Sequence, residues 1–288
     1  MSQRPKITVP KLKQFKQEGR KITMLTAYDY TFARFLEEAE VDMVLVGDSL
    51  GMVVQGQKNT LPVTLDEMIY HARCVSRALD RSHLIVDMPF MSYQASPEQP
   101  LLNCGRVLKE AAAESVKLEG GRELSETIRR LTQAGIPVMA HIGLKPQSIH
   151  QMGGYVVQGR KEEAARNLIK EAKAHEEAGA YALLLEGIPA AVAAEITAGA
   201  QIPTIGIGAG VNCDGQVLVI YDLLGMDKTF NPKFCKTYAQ LHEVITQAIG
   251  RYIKDVQEKK FPAPENAYGE LNVKDHRPRQ NASLVAGR

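Results

Sequence analysis

Cysteine is scarce in this chain and scattered. Cys74, Cys104, Cys213 and Cys235 lie far apart and form no CxxC pair, which argues against a zinc knuckle or a disulfide framework and suits a reducing compartment. An excess of charge of one sign is also missing. Lys and Arg are spread along the chain and the net charge is only +2, so nothing electrostatic recruits nucleic acid or an anionic membrane. No apolar run approaches the roughly 18 residues that a membrane span needs. The opening stretch MSQRPKITVPKLKQFKQEGRK is basic but lacks the apolar core of a secretory signal. No repeat recurs at a fixed period. These absences leave a soluble, cytoplasmic protein with no nucleic-acid or membrane partner as the expectation.

What is present is a chain of 288 residues, long enough for one large core and close to the roughly 250 residues of a (β/α)8 barrel. Short apolar runs alternate with longer amphipathic segments. Strands are expected at 22–26, 43–46, 84–87, 115–118, 137–141, 182–185, 204–207 and 217–220, with helical patterns between most of them. Residues 162–177 are one such helix, with Ala165, Leu168, Ile169 and Ala172 able to cover a sheet and Gly179 in the C′ place. This alternation predicts right-handed βαβ units in a parallel sheet, and eight strands favour an α/β fold closed as a (β/α)8 TIM barrel. A short N-terminal helix over 9–18, with Leu12 and Phe15 on one face, would plug or flank its bottom. The segment 208–216 is too short for a full helix. Residues 1–262 are read as a single barrel domain and 263–288 as a polar C-terminal tail.

The connections are asymmetric. Helix-to-strand links such as 40–41, 134–136 and 178–180 are short, whereas the strand-to-helix links 47–62, 88–96 and 142–159 are long and polar. Long loops within a compact domain are usually functional, and these three gather at one end of the sheet. The first follows MVLVGDS, where a buried run ends in Asp48 and Ser49. The event recurs: Tyr28 and Asp29 follow strand one, Asp87 ends strand three, Lys117 and Glu119 share a face of strand four, His141 ends strand five and Glu186 strand six. Singly, each has a structural explanation: a turn former, a satisfied core histidine, a helix-capping acid. Together on neighbouring strands they predict an active site in the barrel mouth.

Several carboxylates with one histidine and no cysteine make an oxygen-rich site. Such a set favours a hard cation, Mg2+ before Zn2+. Held by Asp48 and Asp87, it would chelate a 2-oxo acid and stabilise the enolate formed when a neighbouring proton leaves. Lys117 is a counter-charge for the acid, and Glu186 is free to be the general base. These parts fit either carbon–carbon bond formation or a lyase.

The chain resembles the ketopantoate hydroxymethyltransferase family through MLTAYDYTFA (24–33), VGDSLGMVVQG (46–56), VDMPFMSYQ (86–94), VKLEGG (116–121), AHIGLKPQS (140–148), GGYVVQGR (153–160), LLLEGIP (183–189), TIGIGAG (204–210) and CDGQVLVIYDLLGM (213–226). The stretches fall in the family's order across about residues 7–262. The resemblance implies a (β/α)8 barrel that moves a one-carbon unit from 5,10-methylenetetrahydrofolate onto 3-methyl-2-oxobutanoate, giving 2-dehydropantoate. It implies Asp48 and Asp87 as Mg2+ ligands and Glu119 supporting the metal, through water. It also implies Ser49 and Lys117 on the oxo acid's carboxylate, His141 over the substrate and Glu186 as proton acceptor. A homodecamer is expected on the same ground. Ala140 stands where the family commonly has Gly, and Lys145 where it commonly has Thr. Lyases and mutases of the isocitrate-lyase and phosphoenolpyruvate-mutase kind are the rival reading. They carry a reactive cysteine in a KKCGH-like loop, and none of the four cysteines here has such neighbours.

Overall fold

The computed structural model describes residues 5–229 and 232–269. Its strands are β1 Ile22–Thr26, β2 Met43–Val46, β3 His83–Asp87, β4 Ser115–Glu119, β5 Val138–Gly143, β6 Ala182–Glu186, β7 Thr204–Ile207 and β8 Gly215–Leu218. All pair in parallel and in chain order, and β8 closes on β1, so the sheet is a barrel with no free edge. The helices are α1 Val9–Gln17, α2 Tyr30–Glu38, α3 Leu50–Val53, α4 Leu65–Ser76, α5 Gln99–Ala111, α6 Ser125–Gln133, α7 Ile149–Met152, α8 Glu162–Glu177, α9 Ala190–Gly199, α10 Ile220–Leu223 and α11 Leu241–Gln257. This is the expected (β/α)8 TIM barrel.

The core has two layers because side chains alternate along each strand. Val44, Val46, Val86, Val116, Leu183 and Leu185 point outward and pack under the helices. Met24, Met43, Ile85, Met139, Leu184 and Val217 fill the barrel interior, and Leu12 and Phe15 of α1 pack with them. The Ile7 N–H donates to the Arg81 carbonyl at 2.8 Å, just ahead of β3. The N-terminal helix thus closes the floor, as its two apolar residues predict. Around the wall, α4 opens with a reciprocal cap: Thr64 Oγ1 accepts from the Glu67 N–H and Glu67 Oε2 accepts from the Thr64 N–H. A cap of this kind contributes about 1 kcal/mol.

Two expectations shift. The last strand is Gly215–Leu218 rather than 217–220, because its ladder with β1 starts at Ile22↔Gly215. It stops where Thr26 Oγ1 takes the Ile220 N–H at 3.0 Å and the chain turns into α10. A Cβ at position 215 would stand 2.5 Å from the Ile22 carbonyl oxygen, so only glycine lets β8 approach there. The link between β7 and β8 contains no helix, as its length predicts, and is held by Asp214, whose Oδ2 accepts from the Thr204 N–H at 2.9 Å and from Lys16 Nζ at 2.7 Å. The long loops are also less irregular than expected. The first begins with α3, and the third holds a 3-10 turn Pro146–Ser148 followed by α7.

The chain divides into two compact units, Met1–Ala239 and Gln240–Arg288. The second contains α11, none of whose residues is buried, and the contact between the Tyr252 and Phe261 rings. Residues 240–262, read from the sequence as part of the barrel domain, fall in this unit. Of the polar tail 263–288, residues 270–288 lie outside the described residues. Among the described residues no helix is long and apolar enough to cross a membrane.

Candidate active site

Register brings the expected residues together. Asp87 pairs with Lys117, Glu119 with His141, and Gly143 with Glu186, so the inward side chains of β3 to β6 meet at the C-terminal rim. Asp48 and Ser49 join them from the turn after β2. Asp48, Asp87, Lys117, Glu119 and His141 are all buried, and Glu186 keeps 20% of its side chain exposed. Lys117 Nζ lies 3.0 Å from Asp87 Oδ1, 3.7 Å from Glu119 Oε1 and 3.1 Å from His141 Nδ1. The ring's other nitrogen, Nε2, faces Glu186 Oε2 at 3.3 Å. Ser49 Oγ and the Tyr28 hydroxyl are 2.9 Å apart. Asp29, beside Tyr28, does not reach this group. It caps α2 by accepting the Phe32 N–H at 2.9 Å.

Four carboxylates here share one ammonium and one imidazole, and their titration reflects that imbalance. Burial, then repulsion from Asp87 and Glu119, raises the Asp48 carboxyl well above its ordinary range, with Lys117 and Gln147 opposing. Burial also raises Asp87 despite its contact with Lys117. Burial works to raise Glu119 as well, but His141, Lys117 and the Gln147 N–H outweigh it and hold that carboxyl low. For His141, burial and Lys117 oppose a charge, yet Glu119 and Glu186 prevail and the pKa is raised. Lys117 is raised too. Burial is its largest influence and opposes the ammonium, but Asp87, Glu119 and Asp48 exceed it.

A hard divalent cation fits this donor set. Asp48 and Asp87 offer only oxygen and repel each other, and Asp87 Oδ1, though near Lys117, accepts no aligned hydrogen bond. Among the described residues no three His, Cys, Asp or Glu side chains form a ligand set.

Two residues of the site escape sequence reasoning. Gln147 is buried, and its Nε2 donates to Asp48 Oδ2 and to the Met88 carbonyl, each at 2.9 Å. Its backbone N–H reaches Glu119 Oε2 at 3.2 Å. The Tyr93 hydroxyl stands 2.8 Å from Gln147 Oε1 and 3.0 Å from the Glu119 carbonyl. An amide and a phenol in polar loops carry no distinguishing pattern, so only their place in the matching motifs could have marked them. Around all these residues lies a cavity of about 850 Å3, reached by Tyr155 and Val157 of the third long loop. That volume suits a drug-sized ligand. The arrangement can hold a cation and a small oxygen-rich acid, and it can take up a proton beside them.

The family model described as ketopantoate hydroxymethyltransferase matches residues 6–264. The 3-methyl-2-oxobutanoate hydroxymethyltransferase of Pelobacter propionicus is 56% identical over 265 residues, 92% of this chain and 98% of the relative. That of Syntrophotalea carbinolica is 55% identical over 261 residues, 91% of this chain and 98% of the relative. Among solved structures, the phosphoenolpyruvate phosphomutase of Streptomyces platensis subsp. rosaceus is similar with a TM-score of 0.60 at 14% identity, covering 92% of each chain. At that identity the likeness is one of fold.

Proposed function

The chain belongs to the ketopantoate hydroxymethyltransferase family, and on that footing we propose that it transfers a hydroxymethyl unit from 5,10-methylenetetrahydrofolate to 3-methyl-2-oxobutanoate, giving 2-dehydropantoate for pantothenate synthesis. The observation that carries this reading is the run of charged inward side chains from β2 to β6. It sets two buried carboxylates, Asp48 and Asp87, apart from a third, Glu186, whose side chain is 20% exposed. Asp48 and Asp87 would hold Mg2+, with Glu119 acting through water. When bound, the cation draws charge from the keto oxygen of the acid and makes the neighbouring C–H more acidic.

The remaining chemistry belongs to the side chains. Ser49 and Lys117 bind the acid's carboxylate, and Lys117 also neutralises Asp87 at 3.0 Å. Glu186 stands apart from the cation-binding pair, so its lone pairs are free to take the C3 proton. His141 Nε2, 3.3 Å away, holds that carboxylate in place. Lys117 Nζ and Glu119 Oε1 flank the ring's other nitrogen, Nδ1, at 3.1 and 3.4 Å. The C3–H bond is exchanged for a C–C bond to the one-carbon unit. Water balances the step: its oxygen and one hydrogen become the hydroxyl of the hydroxymethyl group, and its other hydrogen and the proton that left C3 go to the two nitrogens of tetrahydrofolate. The loop bearing Tyr155 shields the reacting carbon from bulk solvent.

Free cysteines support a reducing, cytoplasmic setting. Exposed Tyr70, Leu102 and Val211 support assembly, a homodecamer by the family pattern. Turnover with both substrates, against each alone, tests the activity. Product formed without the methylene donor, or none with both present, would overturn it.

A further inference from the structure

The cavity is chemically divided. Most of its charged side chains belong to β2 to β6 or the turn after β2, and the arc running from β7 through β8 to β1 is lined mainly by apolar groups such as Ile207, Val219, Tyr221 and Phe234. A small 2-oxo acid cannot fill about 850 Å3, so this apolar arc is space for the second reactant. Two carboxylates, Asp222 and Asp227, break its apolar character. Asp222, on α10, lines the cavity, and no described residue gives its carboxylate a hydrogen bond or ion pair. Its position is fixed from both sides. Thr26 Oγ1 binds the Ile220 N–H at 3.0 Å, and the neighbouring Tyr221 ring packs on Tyr28 at 5.6 Å and Phe32 at 5.3 Å. Tyr28 also lies against Ser49 at 2.9 Å, so this wall connects the acid-binding end of the cavity to the Asp222 end.

An oriented carboxylate in an apolar slot selects a flat heterocycle that presents two adjacent N–H groups. The 2-amino group and N3–H of a pterin have that form, and a carboxylate accepts both at once. We propose that Asp222 is the recognition residue for the pterin ring of the one-carbon donor, an assignment that rests on the folate-dependent reading above. The ring lies along the β7–β8–β1 arc with its 2-amino edge on Asp222, and the one-carbon unit faces the acid held near Asp48. Burial, with Asp227 nearby, pushes the Asp222 carboxyl up to about 6. It is therefore still mostly ionised at neutral pH, which is the form that accepts both hydrogen bonds.

The test measures tetrahydrofolate binding by calorimetry to the full chain with Mg2+ and 3-methyl-2-oxobutanoate present. A second ligand, the 2-desamino analogue of tetrahydrofolate, lacks one donor. Charge-assisted hydrogen bonds of this kind are worth about tenfold or more in affinity. Asp222→Asn should weaken tetrahydrofolate at least about tenfold at an unchanged melting temperature. The wild type should discriminate against the analogue by a similar factor, and the variant should bind both alike. Equal tetrahydrofolate affinity in the folded variant, or a wild type indifferent to the 2-amino group, overturns the Asp222 assignment and leaves the donor reading standing. A wild type that binds no tetrahydrofolate and forms no product from the methylene donor overturns the donor reading and this assignment together.

Discussion

His83 and His141 are equally buried, each 1% exposed, at opposite ends of one barrel, and they titrate in opposite directions. At the floor, His83 Nε2 lies 2.8 Å from Ser115 Oγ, which lies 2.9 Å from the Tyr181 hydroxyl. Burial pushes this imidazole down to about 4, and the partly exposed Glu114, 3.8 Å from Nδ1, opposes that only weakly. At the mouth, burial acts on His141 in the same sense but loses to Glu119 and Glu186. What separates the two ends is unbalanced negative charge. Neutral hydroxyls around His83 hold a fold together, while surplus carboxylates around His141 leave work for a cation and a substrate.

The comparison is broken most completely by removing that surplus. Asp48→Asn or Asp87→Asn should abolish Mg2+-dependent binding of 3-methyl-2-oxobutanoate in calorimetry while the melting temperature shows an intact fold. Either variant binding the acid normally at limiting Mg2+ would remove that residue from the ligand set. Next in size is Glu186→Gln. In D2O with Mg2+ and no folate, it should bind the acid but exchange its C3 hydrogen at least about a hundredfold more slowly than wild type. Normal exchange in Glu186→Gln, with loss in His141→Gln, would transfer the role of base to the histidine.

The floor should answer in stability alone. His83 takes its proton at about 4 when folded, against an ordinary 6.5, so between those values the unfolded chain binds more protons. Its contribution is therefore present at neutral pH and lost as pH falls from about 6.5 to 4, a total of about 3 kcal/mol. Denaturant melts at pH 7 and 4.5 should show a smaller acid loss in His83→Gln than in wild type. An equal loss would mean that His83 is not the group responsible. Smallest of all is Tyr181→Phe, which removes one floor hydroxyl and should cost about 1 kcal/mol, with Mg2+ binding unmoved.

Most of the mouth was legible because charge at the end of an apolar strand is conspicuous. Asp87, Lys117, Glu119, His141 and Glu186 needed only strand boundaries and a period of two to be placed on one rim. Gln147 was not legible. It lies 99 positions from Asp48, and its role exists only because residues 144–148 fold back over the strands. Asp222 was hidden differently, inside the apolar stretch VLVIYDLLG, where the eighth strand was drawn two residues too late. A strand carried on to Ile220 overlaps the start of α10, the element that places Asp222 against the cavity. The outward valines were predictable as a class, but their packing partners depend on helix placement that no local pattern specifies.

Gly143 has a φ of +98°, and a Cβ built there would stand 2.2 Å from the Glu186 carbonyl oxygen and 2.7 Å from Ile188 Cγ2. For anyone redesigning this barrel for larger oxo acids, that single contact divides the third loop into two zones. Around 150–154, where the loop is largely exposed, it is open to variation in shape and length. At position 143 every side chain collides with the backbone that sets the height of Glu186, so diversity introduced there would be spent on displacing the proposed base rather than on changing what it acts upon.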